Sequence, residues 1–566
     1  MKPRYTERFG EIMKPVWLDS YPEGVPHEIN LNEFSSVTDV FLKACSEHAD
    51  KPAYTSFDYS INFKELETLT AQFSRFLQKD LGLTKGDRIA IMLPNVIQYP
   101  VAVLSAMRLG LIVVNIDPMY TQRELKIQFN DSGAETVIVL ESFATEVEKA
   151  LVDVPVKNVI VTKLGDCLPL IKGMGVNIAA KHIKKAVPAY SIPQAYDFRK
   201  ALYKYRGRTQ DLAEPKLSHD DLLFLQYTGG TTGVPKGVEI THGNMVANIL
   251  MSREWIKPSL SEGVQHRIIA PLPMYHIFCM SVNLMVMMSL GAENILILNP
   301  RDFNGFVGLL KKNRFTGVIA VNTLLRKLMD TPGFEDIDFS ELAVTFAGGM
   351  AVTRDVASQW KEITGCTVVE AYGLSECSPG VSSVPFTATE FTGSIGLPLP
   401  STKIKLLDDD GKEVGFNESG ELCVAGPQVM RGYWKRPDAT AEVMTDDGYL
   451  RTGDYVSVDE QGYIRVLDRK KDMILVSGFN VFPNEIEDVV NQFNGVVESA
   501  AIGIEDRNAG QVVKLFVVAS DATVTKEKIA AYCKDNLTGY KRPKVIEFLQ
   551  DLPKSNVGKI LRKELR

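Results

Sequence analysis

Residues 227–237 read YTGGTTGVPKG, with four glycines (Gly229, Gly230, Gly233, Gly237), three threonines (Thr228, Thr231, Thr232) and Lys236 in eleven positions. Glycines allow tight turns, so successive backbone N–H groups can converge on one point and bind an anion. Hydroxyls add donors, and a lysine adds a compact positive charge. Those are the needs of a loop that cradles a polyphosphate. The apolar run 222–225 ahead of it predicts a strand feeding the loop. The common G-x-x-x-x-G-K-[ST] motif is excluded, because Lys236 stands between Pro235 and Gly237 with no hydroxyl after it.

Further segments carry chemistry-bearing side chains. MYHIF (274–278) sets His276 among aromatic and apolar neighbours, and AGGM (347–350) holds Gly348 and Gly349. EAYGLSE (370–376) ends on Glu376; a hard dication such as Mg²⁺ takes carboxylate and phosphate oxygens. YLRTGD (449–454) ends on Asp454, whose carboxylate can accept two O–H donors at once. In DRKKDMILVSGFNVFPNEIE (468–487), Asp468 and Arg469 precede a predicted strand, 473–476, followed by Ser477, Gly478 and Phe479. Gly478 permits close backbone approach there. PKSNVGKILR (553–562) places Lys559 after Gly558. Taken singly, a packed core histidine, an exposed glutamate, a solvated lysine or a Gly/Thr surface loop is the commoner meaning of such residues.

Together and in this order, these segments resemble the adenylate-forming superfamily of acyl-CoA synthetases, luciferases and peptide-synthetase adenylation domains. The Thr-Gly-Gly-Thr-Thr-Gly variant at 228–233, and nearly the whole chain, resemble the bacterial long-chain fatty-acid–CoA ligases. The resemblance implies a two-step reaction with ATP, Mg²⁺ and coenzyme A. A fatty carboxylate attacks the α-phosphate to give acyl-adenylate and pyrophosphate, and the thiol of coenzyme A then displaces AMP.

It also implies roles. Thr228, His276, Glu376 and Lys559 form the expected catalytic set, with Glu376 as the Mg²⁺ ligand. ATP is expected to be bound by Thr228, Gly229, Gly230, Thr231, Thr232, Gly233 and Lys236 of the loop. Gly348, Gly349, Glu370, Ala371, Tyr372, Gly373, Leu374 and Ser375 are expected around adenine and the α-phosphate. Asp454 would accept from the ribose, and Arg469 and Lys559 would complete the ATP set. Ser477, Gly478 and Phe479 are expected near coenzyme A, and His276, Met280 and Gly349 at the acyl pocket. Met280, Val282, Leu284, Met285, Met287 and Met288 offer candidate lining, though at least half are expected to be core. Asp468 matches the hinge, and Arg451 stands where many relatives have histidine. No acid lies between 271 and 282, where peptide-synthetase domains hold an amino group, so an amino-acid substrate is disfavoured.

The elements that must position these residues are legible as alternation. Helical patterns at 36–48, 63–81, 98–109 and 120–131 interleave with strand patterns at 88–92, 111–116, 136–140 and 158–162. Strand patterns continue at 267–271, 293–298 and 317–321. Such alternation predicts an α/β fold of parallel sheets covered by helices. After about residue 393, short segments with Gly/Asp turns predict hairpins or a small barrel-like subdomain. A tail of helix 483–494, strands 498–504 and 514–519 and helix 526–536 predicts a compact α+β unit. The expected domains are 1–467 for ATP and acid, and a mobile lid, 468–566. One rigid body can hardly present Lys559 to phosphate and the Gly478 segment to a thiol, so rotation about Asp468 is expected.

Composition narrows the class. The chain has 566 residues, 45% hydrophobic and 23% charged, which suits a soluble protein of two or three domains. Lys and Arg number 63 against 70 Asp and Glu, net −7, which suggests no nucleic-acid partner. Seven cysteines without a CxxC, and seven histidines without HExxH, fit a reducing cytoplasm rather than disulfides or a zinc site. Neither a signal-peptide core nor an apolar run of about 18 residues is present in the sequence. Between 172 and 208, nine Lys/Arg face one acid, Asp197, with apolar residues interleaved. Such a stretch is most often a solvated basic face; the alternative is peripheral contact with an anionic membrane on the inner face of the cell. Alternative functions are a medium-chain synthetase, a fatty acyl-AMP ligase, a luciferase-like oxygenase and a lipid-binding pseudoenzyme. No obvious insertion of the acyl-AMP ligase kind is present. Acyl length stays open, as does the choice between monomer and homodimer.

Overall fold

The computed structural model describes residues 13–228, 235–261, 263–477, 479–506, 509–555 and 558–566. Two large sheets carry the site. In the first, Leu222–Thr228, Ile112–Asn115, Arg88–Met92, Thr136–Leu140, Asn158–Thr162 and Tyr196–Asp197 run parallel, as the alternating pattern predicts. Lys236–Thr241 and Gly432–Tyr433 extend its edge antiparallel. In the second, Val368–Gly373, Val344–Gly348, Gly317–Ala320, Arg267–Ala270, Glu293–Leu296 and Pro52–Ser56 are parallel, with antiparallel strands at both ends. The central strands are buried on both faces, which explains their continuous apolar runs such as RIAIM and TVIVL.

Local chemistry fixes the helices. Asn62 and Glu65 close a capping box on Phe63–Lys79, and Thr241 with Asn244 caps His242–Ile256. Most of the latter helix is buried. Beside it, Met280–Val286 is a π-helix, a widened turn that the sequence pattern did not reveal.

The hairpin segments form an open five-stranded antiparallel sheet, ending in Leu450–Val458 and Ile464–Arg469. Its inner residues join the core of the two large sheets. The tail from Ile474 onward builds a separate sheet with its own core of Ile474, Ile486, Val513, Leu515 and Ile529. Asp468 itself lies inside the strand Ile464–Arg469, opposite Tyr455, so the change of sheet falls between Arg469 and Ile474. Among the described residues, no helix is long and apolar enough to cross a membrane.

Candidate active site

One cavity of about 930 Å³ opens at the carboxyl ends of strands from both large sheets, where α/β folds bind ligands. Its polar end is lined by Thr228, Lys236, Gly348, Gly349, Glu376, Asp454, Arg469 and Lys559, and by Ala371, Tyr372, Gly373, Leu374 and Ser375. Most of these follow from strand ends, whereas Asp454 lies in the middle of Leu450–Val458 and Lys559 comes from the tail. Leu222–Thr228 delivers Thr228, and Lys236 opens the return strand. Val344–Gly348 ends at the glycine pair, where Gly349 has φ +78° and open space around an added Cβ. Val368–Gly373 ends at the aromatic wall, and the turn Ser375–Cys377 presents Glu376. Gly229, Gly230, Thr231, Thr232, Gly233 and Gly478 lie outside the described residues.

Asp454 is the most elaborately held group. The Tyr372 hydroxyl donates to its Oδ2 at 2.5 Å, and Arg469 Nε approaches Oδ1 at 3.3 Å. Its backbone N–H donates to Thr452 Oγ1 at 3.1 Å. Burial, then the Asp454 charge, raises the Tyr372 phenol far above its usual range, so it remains a donor. A buried carboxylate oriented by a donor and a cation suits a diol ligand.

Lys559 enters from the tail. Its N–H donates to Ser555 Oγ at 3.1 Å, and the turn is closed by Gly558, φ +82°. A Cβ on Gly558 would meet Thr323 Oγ1 at 2.7 Å, so the tail rests directly on the large domain. Burial lowers the Lys559 ammonium to about 8, with Arg469 adding to the effect and Asp454 opposing it. His276 opens onto the same cavity; enclosure by protein lowers its pKa, and Asp117 opposes while Lys559 reinforces. It is therefore a neutral imidazole at pH 7.

The other end of the cavity is apolar: Trp255, Ile256, Phe278, Val282, Val286, Met287, Phe346 and Phe386. Asn248, Ser252 and Trp255 line it from one face of His242–Ile256, spaced four and three apart. Trp255 is fixed by donating Nε1–H to the Val384 carbonyl at 3.3 Å.

Two sequence expectations are corrected. Glu370 is not on the cavity wall: its Oε1 accepts the Val352 N–H at 2.9 Å, and burial lifts its carboxyl to about 7. It points to the opposite side of the strand from Ala371, as period-two alternation requires. Met280 is also off the wall, with its sulfur accepting from Asn115 Nδ2 at 3.1 Å. Of the six candidate lining residues, Val282 and Met287 face the cavity. Ser477 and Phe479 lie away from it; Phe479 stacks on Tyr540 at 4.6 Å between ring centroids.

The segment expected to act as the hinge is heavily tied. Asp468 accepts from the N–H groups of Arg469 at 2.7 Å and Asn484 at 2.8 Å, with Arg562 at 3.9 Å. Burial still raises its carboxyl to about 6. Arg451 pairs with Glu421 at 2.7 Å, and the same carboxylate reaches Lys470 at 3.4 Å. Sequence reasoning missed Lys470, Ser555, Thr452 and Tyr433, all on the wall. The first three adjoin motif residues; for Tyr433 the sequence carries no signal beyond an aromatic in a short strand.

Comparison with known proteins decides the family. The AMP-binding enzyme model matches residues 41–434, and the AMP-binding enzyme C-terminal domain matches 485–559. The chain belongs to the AMP-binding enzyme family. It is 49% identical over 554 residues to a long-chain-fatty-acid–CoA ligase of Escherichia coli O157:H7, covering 98% of each chain. A long-chain-fatty-acid–CoA ligase of Bacillus subtilis is 33% identical, again over 98% of each chain. Among solved structures, ATP-bound MatB from Rhodopseudomonas palustris aligns with TM-score 0.79 and 26% identity, covering 94% of this chain and 98% of that one.

Proposed function

We propose that this AMP-binding enzyme is a long-chain fatty-acid–CoA ligase, making acyl-CoA, AMP and pyrophosphate from a fatty acid, ATP and coenzyme A. The observation that carries the reading is a cavity whose polar, cation-lined end is continuous with an apolar end. The residues fit the nucleotide: Gly349 leaves open space beside its backbone, Asp454 suits the ribose, and Lys236, Arg469 and Lys559 surround the phosphate side. Glu376 would hold Mg²⁺, which when bound supplies positive charge to the phosphates.

Acid and triphosphate repel one another, so the attack of carboxylate oxygen on the α-phosphate needs positive charge in place beforehand. Lys559 and Lys236 provide it. Neutral His276, on the wall of the same cavity, would meet the reacting carboxylate and can donate one N–H without taking a full charge. No protein nucleophile is required. The thiol step then needs Lys559 withdrawn and the segment around Ser477 and Phe479 brought in, by rotation of the tail beyond Arg469 about the segment that starts at Asp468.

An alkyl chain of about 14 methylenes gains roughly 11 kcal/mol on transfer to such an apolar end, before entropy and strain. The test is AMP and pyrophosphate release with MgATP, comparing octanoate, palmitate and mixed amino acids, with and without coenzyme A. Palmitate-dependent AMP release that needs coenzyme A is expected. Preference for octanoate would make it a medium-chain enzyme, and pyrophosphate release without thioester would make it an acyl-AMP ligase.

We further propose that the enzyme works in the cytoplasm against the inner face of the membrane. Leu170, Ile171, Met174, Ile178 and Ile183 are all more than half exposed on Leu170–Ile178 and the following turn. Lys181, Lys184 and Lys185 are exposed beside them. Apolar side chains ringed by lysines complement anionic lipid. Flotation with phosphatidylglycerol vesicles should be salt-sensitive and weakened in Ile171→Asp/Ile178→Asp; unchanged flotation of that variant would refute this contact.

A further inference from the structure

Residues 427–434 cross-brace the two halves of the polar end. The strand Gly432–Tyr433 pairs antiparallel with Lys236–Thr241, placing Tyr433 opposite Val238. The Trp434 N–H donates to the Gly237 carbonyl at 2.8 Å, and the Met430 N–H donates to the Glu376 carbonyl at 2.7 Å. Asn244 Nδ2 donates to the carbonyls of Pro427 and Val429 at 2.9 and 2.8 Å. One short segment is thus laced to the strand leaving the glycine-rich loop, to the turn bearing Glu376, and to the start of a buried helix.

At its end stands Tyr433, on the cavity wall. Its hydroxyl donates to Glu376 Oε1 at 2.7 Å. Its ring lies under the Lys236 ammonium, 5.0 Å from nitrogen to centroid. The acid and the base therefore meet the same side chain through different chemistry. A hydrogen bond fixes the carboxylate, and the electron-rich ring face attracts the ammonium.

We propose that Tyr433 is a positioning residue that holds Glu376 and Lys236 in register for a divalent cation and the phosphates it accompanies. The proposal rests on the assignment of Glu376 and Lys236 to MgATP given above. With Oε1 committed to the phenol, Glu376 has one orientation in place of a rotamer ensemble, so a cation meets a prepared ligand. The hydroxyl serves the carboxylate and the ring serves the lysine, so the two duties can be separated by substitution.

The experiment measures binding without turnover. Mn²⁺ binding is followed by electron paramagnetic resonance in the presence of α,β-methylene-ATP, and metal-free analogue binding is measured separately by calorimetry. Tyr433→Phe should weaken Mn²⁺ binding about tenfold, the loss of one hydrogen bond to a charged group. Its metal-free binding should stay close to wild type, because the ring remains under Lys236. Tyr433→Leu should weaken both. Glu376→Gln is the reference and should lose Mn²⁺ binding. Loss in Glu376→Gln with wild-type Mn²⁺ affinity in Tyr433→Phe overturns the role of Tyr433 alone. Wild-type Mn²⁺ affinity in Glu376→Gln overturns the assignment of Glu376 and the proposal with it.

Discussion

The polar and apolar ends of the cavity are built in opposite ways. At the polar end, most wall residues sit at a strand end or in a turn, inside a short contiguous motif, with Asp454 in mid-strand. Thr228, Gly348, Tyr372 and Glu376 are of this kind. At the apolar end, Trp255, Val282, Met287, Phe346 and Phe386 come from separate elements, and each is also part of, or packed against, the core. Charge and hydrogen bonding need exact partners, so the sequence around them is constrained over several residues. Apolar walls need only volume and shape, so almost any large hydrophobe serves. The difference predicts that substitutions at the polar end cost rate or nucleotide affinity, whereas those at the apolar end redistribute preference among acids.

The largest effect outside Lys559 is expected at Asp454. Asp454→Ala removes a two-oxygen acceptor and leaves Tyr372 and Arg469 without it, so kcat/KM for ATP should fall about a hundredfold. Little change in the relative use of octanoate and palmitate should accompany it. Steady-state kinetics with both acids checks this; a change in acid preference would blur the distinction between the ends.

Adenylation should also lose rate on the alkaline side. Lys559 faces Arg469, Lys471 and Arg562, which lower its pKa together with burial, and Asp454, which raises it. The charged form that the reaction needs is present below about 8 and is lost as pH rises through that value. The rate should then fall about tenfold per unit. Lys559→Arg keeps its charge throughout and should abolish this limb. A pH–rate profile of pyrophosphate release for both proteins decides it.

At the apolar end, Trp255→Ala should lengthen the wall by about two methylenes and shift the stearate-to-palmitate ratio of kcat/KM about tenfold. ATP kinetics should barely move. Smallest of all, Arg451→His exchanges one partner of Glu421, a part-exposed pair, and should alter either half-reaction less than about threefold. A larger loss, seen by separate assay of the two steps, would make the Arg451–Glu421–Lys470 cluster part of the hinge itself.

The same contrast explains what was legible in the sequence. Strands Arg88–Met92, Thr136–Leu140 and Asn158–Thr162 coincide with the predicted runs, because buried parallel strands are continuous apolar stretches bounded by turn residues. The residues that line the polar end of the cavity were readable for the same local reason, each lying inside a short motif. Glu370 was misplaced because a motif read as a string ignores strand alternation, which turns Glu370 into the core while Ala371 faces the cavity. Met280 was misplaced because the apolar run 280–288 gives no sign of which side faces the cavity; the π-helix Met280–Val286 turns Met280 to Asn115 and Val282 to the cavity. Tyr433 was invisible because its partners, Glu376 and Lys236, are 57 and 197 positions away, and only the sheet brings them together.

The account depends most on Lys559 acting in one step only. The measurement is the two half-reactions of Lys559→Ala assayed apart: palmitate-dependent pyrophosphate release, and thioester formation from supplied palmitoyl-adenylate and coenzyme A. Adenylation should fall about 100- to 1000-fold, as for other preorganised charges at a reacting centre, while thioester formation stays near wild type. Equal loss in both half-reactions would contradict a lid that presents Lys559 to the phosphates and then withdraws it.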